Sequence, residues 1–404
     1  MVSAAAALVV CCVGSQSLTA KAAPILGNTR VTPYDMHKPM YAVRNLGSFG
    51  GTSCCLVVTI NDRGWVNGTS NLPGDTSFHP FLWIDGVMGD LGTLGGPNAS
   101  VGGMNDRGDV TVGGSDTGQL DPLGEDFCGF GTHQICRSFV WHDGKRTLIP
   151  TLGGNSGDVN RISDGGLVLA VAETTVHDST CVAPQQVRYE AFTWEPNTNT
   201  ISRLRPLKGD AISEAFARDD RGEFGGYSGA CGNAEGDAFA MNHAVVWRHG
   251  TPISLKTLGG TAANTVSDMN NRGQMLGWSA LTGDKTAHAV LWQNGAVIDL
   301  GALPGDHFSN PGGINDAGQI AMQSCKDVNA WLHNRCRAAI WQDGVMVDLN
   351  ALIQPDSPLL LIGANSINKR GEIVGTAFDR TTGSLVPFLA TPCRESDGRA
   401  EGCT

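Results

Sequence analysis

Two acidic residues, Asp158 and Glu214, occupy corresponding positions in two copies of a repeated segment, four residues before the residue that opens a turn motif. In the other copies this position holds Leu56, Ser100, Thr265, Asn310 and Gly363. Two carboxylates held close together push one pKa upward, so that one can act as an acid and the other as a base. The pair could instead bind a cation or another ligand, or remain hydrated. Asp158 and Glu214 are therefore candidate catalytic residues if the fold makes them neighbours.

Polar residues near this pair are candidates for ligand contact. Ser100, Thr265 and Asn310 belong to the same column, while Arg161 and His307 could supply a cation or a proton-transfer group beside the two acids. The chain contains no G-x-S-x-G, no G-x-x-x-x-G-K-[ST] and no H-E-x-x-H. The common nucleophile, nucleotide and zinc-protease signatures are thus absent.

The segment "SDTGQLDPLGED" supplies four acids, Asp116, Asp121, Glu125 and Asp126. Calcium binds several oxygen ligands, so these residues are weak candidates for a calcium site, although their spacing follows no regular calcium motif. No other cofactor is expected.

A motif of the form apolar–Asn–polar–polar–Gly recurs throughout the chain. Seven copies are found, at 59–70, 103–115, 161–173, 217–229, 268–280, 313–325 and 366–378. Asn tolerates the left-handed region and Gly enters it without a Cβ clash, so each motif predicts a tight hairpin between two strands. A second block, such as "HAVLWQNG", adds a strand ending in Trp, a turn and another short strand. Four strands per unit are predicted.

Units of four strands that recur about every 50 residues are typical of β-propeller blades. The seventh unit supplies three strands, and "YAVRNLGSFGG" (41–51) is an unpaired match to the fourth. We therefore predict an all-β, seven-bladed propeller of four-stranded blades over 41–393, closed by the N-terminal strand, which removes exposed sheet edges. Recurring Trp residues are expected to fill the space between blades. The column His79, Arg137, Glu190, His243, His288 and Arg337 is expected to hold each blade's own loops.

The motifs "INDRG", "HAVLW" and "LGTLGG" recur in fixed order over about residues 41–392. In this respect the chain resembles the HAF-type extracellular repeat family. The resemblance implies secretion and a propeller-like fold, and it implies no particular biochemical activity.

The N-terminal sequence predicts export. An apolar stretch from Ala4 to Val13 followed by Ala20-Lys21-Ala22 is typical of a signal peptide over 1–22, followed by a linker over 23–40. A lipid anchor at Cys11 or Cys12 is an alternative. Residues 394–404 are predicted to form a C-terminal tail, and no other stretch approaches transmembrane length.

The ten cysteines beyond the leader favour disulfides in an oxidising, secreted or periplasmic setting. Four pairs are predicted: Cys128–Cys136, Cys181–Cys231, Cys325–Cys336 and Cys393–Cys403. The pair Cys181–Cys231 is expected because both residues lie in equivalent loops of adjacent blades. Cys54 and Cys55 are left unassigned.

A net charge of −11 excludes a nucleic-acid footprint, which requires clustered basic residues. The connections between second and third strands are long at 116–136, 174–188, 230–242 and 326–336, and all emerge where the innermost strand begins. We expect a monomeric binding module with a carbohydrate or protein ligand on this face. A hydrolase or lyase acting on polysaccharide and a structural cell-surface repeat protein are the alternatives.

Overall fold

A computed structural model describes residues 40–231, 241–332, 335–393 and 403. The predicted signal peptide, all of the predicted linker except Met40, and the predicted tail except Cys403 lie outside these ranges. Within them the chain forms 27 strands, one short helix α1 (Val328–Leu332) and one 3-10 turn (Leu349–Leu352).

The strands follow one another in groups along the chain. They are β1 (Tyr41–Asn45); in blade 1, β2 (Cys54–Ile60), β3 (Val66–Asn71), β4 (Phe78–Ile84) and β5 (Val87–Asp90); in blade 2, β6 (Val110–Leu120), β7 (Gln134–His142) and β8 (Lys145–Leu148). Blade 3 contains β9 (Gly157–Ile162), β10 (Val168–His177), β11 (Val187–Glu195) and β12 (Thr200–Leu204), and blade 4 contains β13 (Ile212–Arg218), β14 (Phe224–Gly229), β15 (His243–Arg248) and β16 (Thr251–Ser254).

The remaining three groups continue in the same way. Blade 5 contains β17 (Thr265–Met269), β18 (Met275–Ala280), β19 (Ala287–Gln293) and β20 (Ala296–Asp299); blade 6 contains β21 (Phe308–Ile314), β22 (Ile320–Cys325), β23 (Cys336–Gln342) and β24 (Val345–Asp348); blade 7 contains β25 (Leu359–Ile367), β26 (Ile373–Asp379) and β27 (Ser384–Pro392).

Each group is one antiparallel sheet, and the last sheet is completed by β1 in the order β1-β27-β26-β25. Tyr41 pairs with Pro392 and Asn45 with Phe388, so the N-terminal strand is the outermost strand of blade 7. The prediction of a seven-bladed propeller closed by the N-terminal strand is confirmed. In blade 2 the innermost segment forms only isolated bridges, Ala99 with Ser115 and Met104 with Val110.

The recurring Asn acts through its side chain. In blade 1 the left-handed residue is Gly64, with φ of 86°, and Asn61 is not among the residues with positive φ. Asn61 Oδ1 instead accepts hydrogen bonds from the backbone N–H groups of Arg63 and Trp65, both at 3.0 Å. The expectation that Asn occupies the left-handed region of this turn is therefore wrong. It does hold for the outer hairpin of the same blade, where Asp85 and Gly86 have φ of 48° and 101°.

The same Asn side chains join neighbouring blades. Asn61 Nδ2 donates to Asn105 O at 3.1 Å, and Asn368 Nδ2 of blade 7 donates to Asn61 O at 3.0 Å. Equivalent bonds run from Asn105 to Ser163, from Asn270 to Asn315 and from Asn315 to Asn368. The repeated motif is thus both a turn and an inter-blade contact, and it also spans the seam where the ring closes.

Apolar side chains pack mainly between sheets. Trp247 of blade 4 is fully buried against Leu169 and Leu204 of blade 3, and Trp292 of blade 5 packs with Val246 of blade 4. The recurring Trp therefore fills the space between blades, as predicted.

Candidate functional site

One end of the propeller carries the loops that follow the second strand of each blade, and we call it the looped face. The second strands of blades 2 and 3 are unusually long there, with 11 residues in β6 and 10 in β10 against six in β14, β18 and β22. The hairpins of these two adjacent blades therefore extend beyond those of most other blades on the looped face.

Disulfides fasten the loops of this face. Cys128 bonds to Cys136 within blade 2, and Cys181 bonds to Cys231, joining the loops of blades 3 and 4. Cys325–Cys336 closes the loop of blade 6. The fourth bond, Cys393–Cys403, follows β27 and lies outside these loops. All four predicted pairs are confirmed. Cys54 and Cys55 lie in β2.

Asp158 is the second residue of β9 and is largely buried. Its Oδ1 accepts hydrogen bonds from the backbone N–H groups of Gly114 in blade 2 and of Val159, both at 2.6 Å. A Cβ added at Gly113 would lie 2.4 Å from the same oxygen, so glycine makes room for this carboxylate. Asp158 thus contacts the second strand of the preceding blade.

Glu214, on β13, has no exposed surface. Its Oε1 accepts from Asn160 Nδ2 at 3.1 Å, and its Oε2 accepts from the hydroxyl of Tyr227 at 3.0 Å. Burial, followed by the neighbouring Tyr189 and Glu214, raises the pKa of Tyr227 well above its ordinary value. Tyr227 therefore remains protonated and donates to the carboxylate.

The two acids lie on neighbouring innermost strands, and different blades contribute to their surroundings. Asp158 accepts hydrogen bonds from Gly114 of blade 2 and from Val159 of its own blade, whereas Glu214 accepts from Asn160 of blade 3 and from Tyr227 of its own blade. Since Glu214 is fully buried, an extended substrate does not reach it in this conformation. The assignment of the pair as acid and base stays a prediction.

A β-bulge recurs in the innermost strands and explains some of these contacts. The pairing with the second strand skips one residue at the same position of five blades, namely Asn160, Phe216, Ser267, Gly312 and Asn365. A bulge changes the direction in which the neighbouring side chains point. Asn160, which sequence reasoning missed, reaches Glu214 from this position, and the alternation of a regular strand could not have identified it.

Arg161 follows the bulge of blade 3 and is partly exposed. Its Nη2 lies 2.6 Å from Asp268 Oδ1 of blade 5, and its Nε donates to the carbonyl of Phe216 in blade 4. This predicted binding residue therefore already has protein partners.

The other predicted binding residues differ in accessibility. Thr265 is fully buried and Ser100 is 7% exposed, so neither offers a large contact surface. Asn310 is partly exposed and donates to Gln323 Oε1 at 2.8 Å. His307 is exposed, in the loop before β21. Their role in binding stays a prediction.

The four acids proposed for calcium separate into two groups. Asp116 accepts hydrogen bonds from Asn98 and Thr132, and burial raises its pKa. Asp126 accepts a hydrogen bond from the backbone N–H of Gly131. Asp121 and Glu125 instead meet Glu173 of blade 3 in a buried cluster. Glu173 was missed, although its position holds the uncharged residues Asn71, Gly229, Ala280 and Cys325 in other blades, and this departure was a readable signal.

Charged residues of the column that includes His79, His288 and Arg337 form ion pairs within their own blades. His79 Nδ1 lies 2.8 Å from Asp90 Oδ2, and His288 Nδ1 lies 2.9 Å from Asp299 Oδ1, each across to the outermost strand of the same blade. Arg337 contacts Asp306 and Asp348. These side chains hold individual blades together, as expected.

Solved β-propellers of low sequence identity resemble this chain. The propeller domain of the Trilobed protease from Pyrococcus furiosus has 9% identity and a TM-score of 0.49, with 85% of this chain and 94% of that chain covered. An ulvan lyase bound to -[GlcA(1-4)Rha3S]- has 12% identity and a TM-score of 0.44, with 88% and 98% covered. The Trypanosoma rangeli sialidase in complex with sialic acid has 10% identity and a TM-score of 0.39, with 87% and 59% covered.

These similarities concern the fold and carry no information on activity. No protein-family profile matches the chain, and no curated protein matches it in sequence. Among the helices of the described ranges, none has the length and hydropathy to cross a membrane.

Proposed function

We propose that this protein is a secreted or periplasmic binding module of the HAF-type repeat family, and that it holds an extracellular ligand on the looped face at blades 2 to 4. The observation that carries the proposal is the pair of extended hairpins in blades 2 and 3. Their tips expose aliphatic side chains, with Leu120 at 74%, Val176 at 49% and Val182 at 55% exposure. Exposed apolar side chains on a built surface favour a partner that covers them.

The hairpins are held in place. Gln186 Nε2 of blade 3 donates to Leu123 O of blade 2 at 2.5 Å, and Cys181–Cys231 joins the loops of blades 3 and 4. A surface whose loops are held before binding loses less conformational entropy when a ligand binds. This arrangement supports a recognition role.

The exposed side chains favour a protein ligand over a carbohydrate. Sugar sites depend largely on aromatic rings, and Phe378 is the single exposed large aromatic residue in the described part of the chain, on β26 of blade 7. The aliphatic tips of blades 2 and 3 instead suit apolar side chains of a protein. The polysaccharide-degrading alternative has less support, because Glu214 is fully buried.

The test compares two triple variants of the mature protein. One replaces Leu120, Val176 and Val182 by serine; the control replaces the exposed Val87, Leu148 and Ile298 of outermost strands by serine. Each is immobilised and used to capture purified secreted proteins, with a glycan array and a polysaccharide turnover assay run in parallel.

We expect wild type and the control to capture the same protein and the looped-face variant to lose at least about tenfold in affinity, since these residues form the contact. Equal capture by both variants would overturn the proposed surface. Glycan binding that only the looped-face variant loses would replace the protein ligand by a carbohydrate. Turnover of polysaccharide that is lost in Asp158→Asn would replace the binding role by an enzymatic one.

A further inference from the structure

A buried group of three carboxylates lies between blades 2 and 3. Asp121 and Glu125 belong to the 116–136 loop, and Glu173 belongs to β10. One carboxylate oxygen of each residue lies within 4.8 Å of the other two. Glu125 and Glu173 are fully buried, and Asp121 is 6% exposed. Three carboxylates in such a site cannot all be ionised without strong mutual repulsion, since the interior screens charge poorly.

The hydrogen bonds of the cluster leave two oxygens without donors. Glu125 Oε1 accepts from the backbone N–H groups of Gln186 and Val187, but Glu125 Oε2 is buried and has no hydrogen-bond partner within the described residues. Gln185 Nε2 donates to Glu125 and Glu173, while Gln185 Oε1 is likewise buried and unpartnered. Unsatisfied buried oxygens are costly, and a bound ion is one way to satisfy them.

A divalent cation offsets the charge of this cluster more completely than a proton. A proton shared between Glu173 and Glu125 would satisfy Glu125 Oε2, but it would neutralise only one of the three carboxylates. In the described ranges, no basic side chain forms a salt bridge with any of the three acids; nearby Arg188 pairs with Asp178 instead. A divalent ion among the three carboxylates would contact the unpartnered Glu125 Oε2 and would offset most of the negative charge.

The donor set selects the type of ion. All candidate ligands are oxygens, which favours a hard cation over zinc or copper. Oxygens bound to one calcium at about 2.3 to 2.6 Å can lie at most about 5 Å apart, in agreement with the 4.8 Å limit of the cluster. Magnesium retains several waters and requires near-octahedral geometry, so a buried site built from side chains suits calcium better.

We propose that Asp121, Glu125 and Glu173 form a calcium site that joins blade 2 to blade 3. Two ligands come from the extended loop of blade 2, and one comes from β10 of blade 3. Calcium binding therefore stabilises the loop of blade 2 against the neighbouring blade. The site is independent of the ligand proposed for the looped face.

The test uses mature protein stripped of divalent cations and titrated with CaCl2 or MgCl2 by calorimetry, with thermal melting in parallel. The variants are Glu125→Gln and Glu173→Gln. The matched control is Glu190→Gln on β11 of blade 3, whose carboxylate pairs with Arg203 at 2.8 Å and lies outside the cluster.

We expect wild type and Glu190→Gln to bind one calcium with a Kd at or below about 1 mM, the weak limit of extracellular calcium modules, and to melt at higher temperature when calcium is present. Each cluster variant should lose at least about tenfold in affinity if it folds. Absence of calcium binding by wild type would overturn the proposal whether or not the variants fold. Unchanged affinity in folded Glu125→Gln and Glu173→Gln would overturn it as well.

Discussion

Arg161 of blade 3 and Asp268 of blade 5 form an ion pair of 2.6 Å across blade 4. Between them Arg161 Nε donates to the carbonyl of Phe216, and on the far side Asp268 Oδ2 accepts from the backbone N–H of Ile314 in blade 6 at 2.9 Å. Two side chains therefore connect four consecutive blades near the axis of the ring.

Removing this connection should weaken the propeller. Arg161→Met and Asp268→Asn are each expected to lower the free energy of unfolding, and a double-mutant cycle should give a coupling of about 1 kcal/mol because the pair is only partly exposed. Denaturant unfolding measures both quantities. Arg203→Met, which breaks a pair within blade 3, is the control. Additive effects of the two substitutions would show that the ion pair contributes nothing.

The recurring Asn accepts hydrogen bonds within its own turn and donates one to the next blade, and substitutions at Asn270 can separate these two functions. Asn270→Asp keeps the oxygen that accepts from the backbone N–H groups of Arg272 and Gln274 but loses both donations of Nδ2, to Asn315 O and to Gln274 Oε1. We expect it to cost about 2 kcal/mol, the net value of two hydrogen bonds at about 1 kcal/mol each. Asn270→Ala loses both functions and should cost more. The melting temperature should be highest for wild type, lower for Asn270→Asp and lowest for Asn270→Ala. Any other order contradicts the double role of this residue.

Tyr227 should stabilise the buried carboxylate of Glu214. Tyr227→Phe removes the hydrogen bond of 3.0 Å to Oε2 and leaves a buried charge with one donor fewer, so we expect a loss of about 1 to 3 kcal/mol in the free energy of unfolding. Tyr189→Phe, which removes a hydroxyl bonded to Tyr227 at 3.1 Å, should cost less. Chemical denaturation compares the two variants. Equal stability of Tyr227→Phe and wild type would show that this hydrogen bond contributes nothing to stability.

Glu173 should make the calcium-free protein less stable as the pH rises. Burial and the adjacent Glu125 carboxylate raise the pKa of Glu173 to about 8 from the usual 4.5. Between these values the folded protein keeps a proton that the unfolded chain has released, so the contribution of Glu173 to stability is full below pH 4.5 and is lost as the pH rises to about 8. Asp121 and Gln185 also face this carboxyl.

Melting temperatures measured in chelator from pH 5 to 8.5 check this prediction. Glu173→Gln cannot titrate at this position and should have a flatter profile over the same range. A wild-type profile parallel to that of Glu173→Gln would contradict the raised pKa.

The propeller itself could be predicted from the sequence because its determinants are local and repeated. Gly64 and the Asp85–Gly86 pair specify turns, and the Trp column marks the third strands. Seven copies of one unit, with a surplus strand at Tyr41, leave one way to close the ring. The disulfides followed from the same repeat, since equivalent loops of adjacent blades bring Cys181 to Cys231.

Tertiary structure alone decided which side chains meet between blades. A bulge at Asn160 directs it to Glu214 and lets Arg161 reach Asp268, and no strand periodicity contains that shift. Glu173 joins Asp121 and Glu125 because a long loop of one blade folds onto the second strand of the next. A sequence determines local backbone conformation over a few residues, whereas contacts between loops depend on how rigid sheets are placed in space.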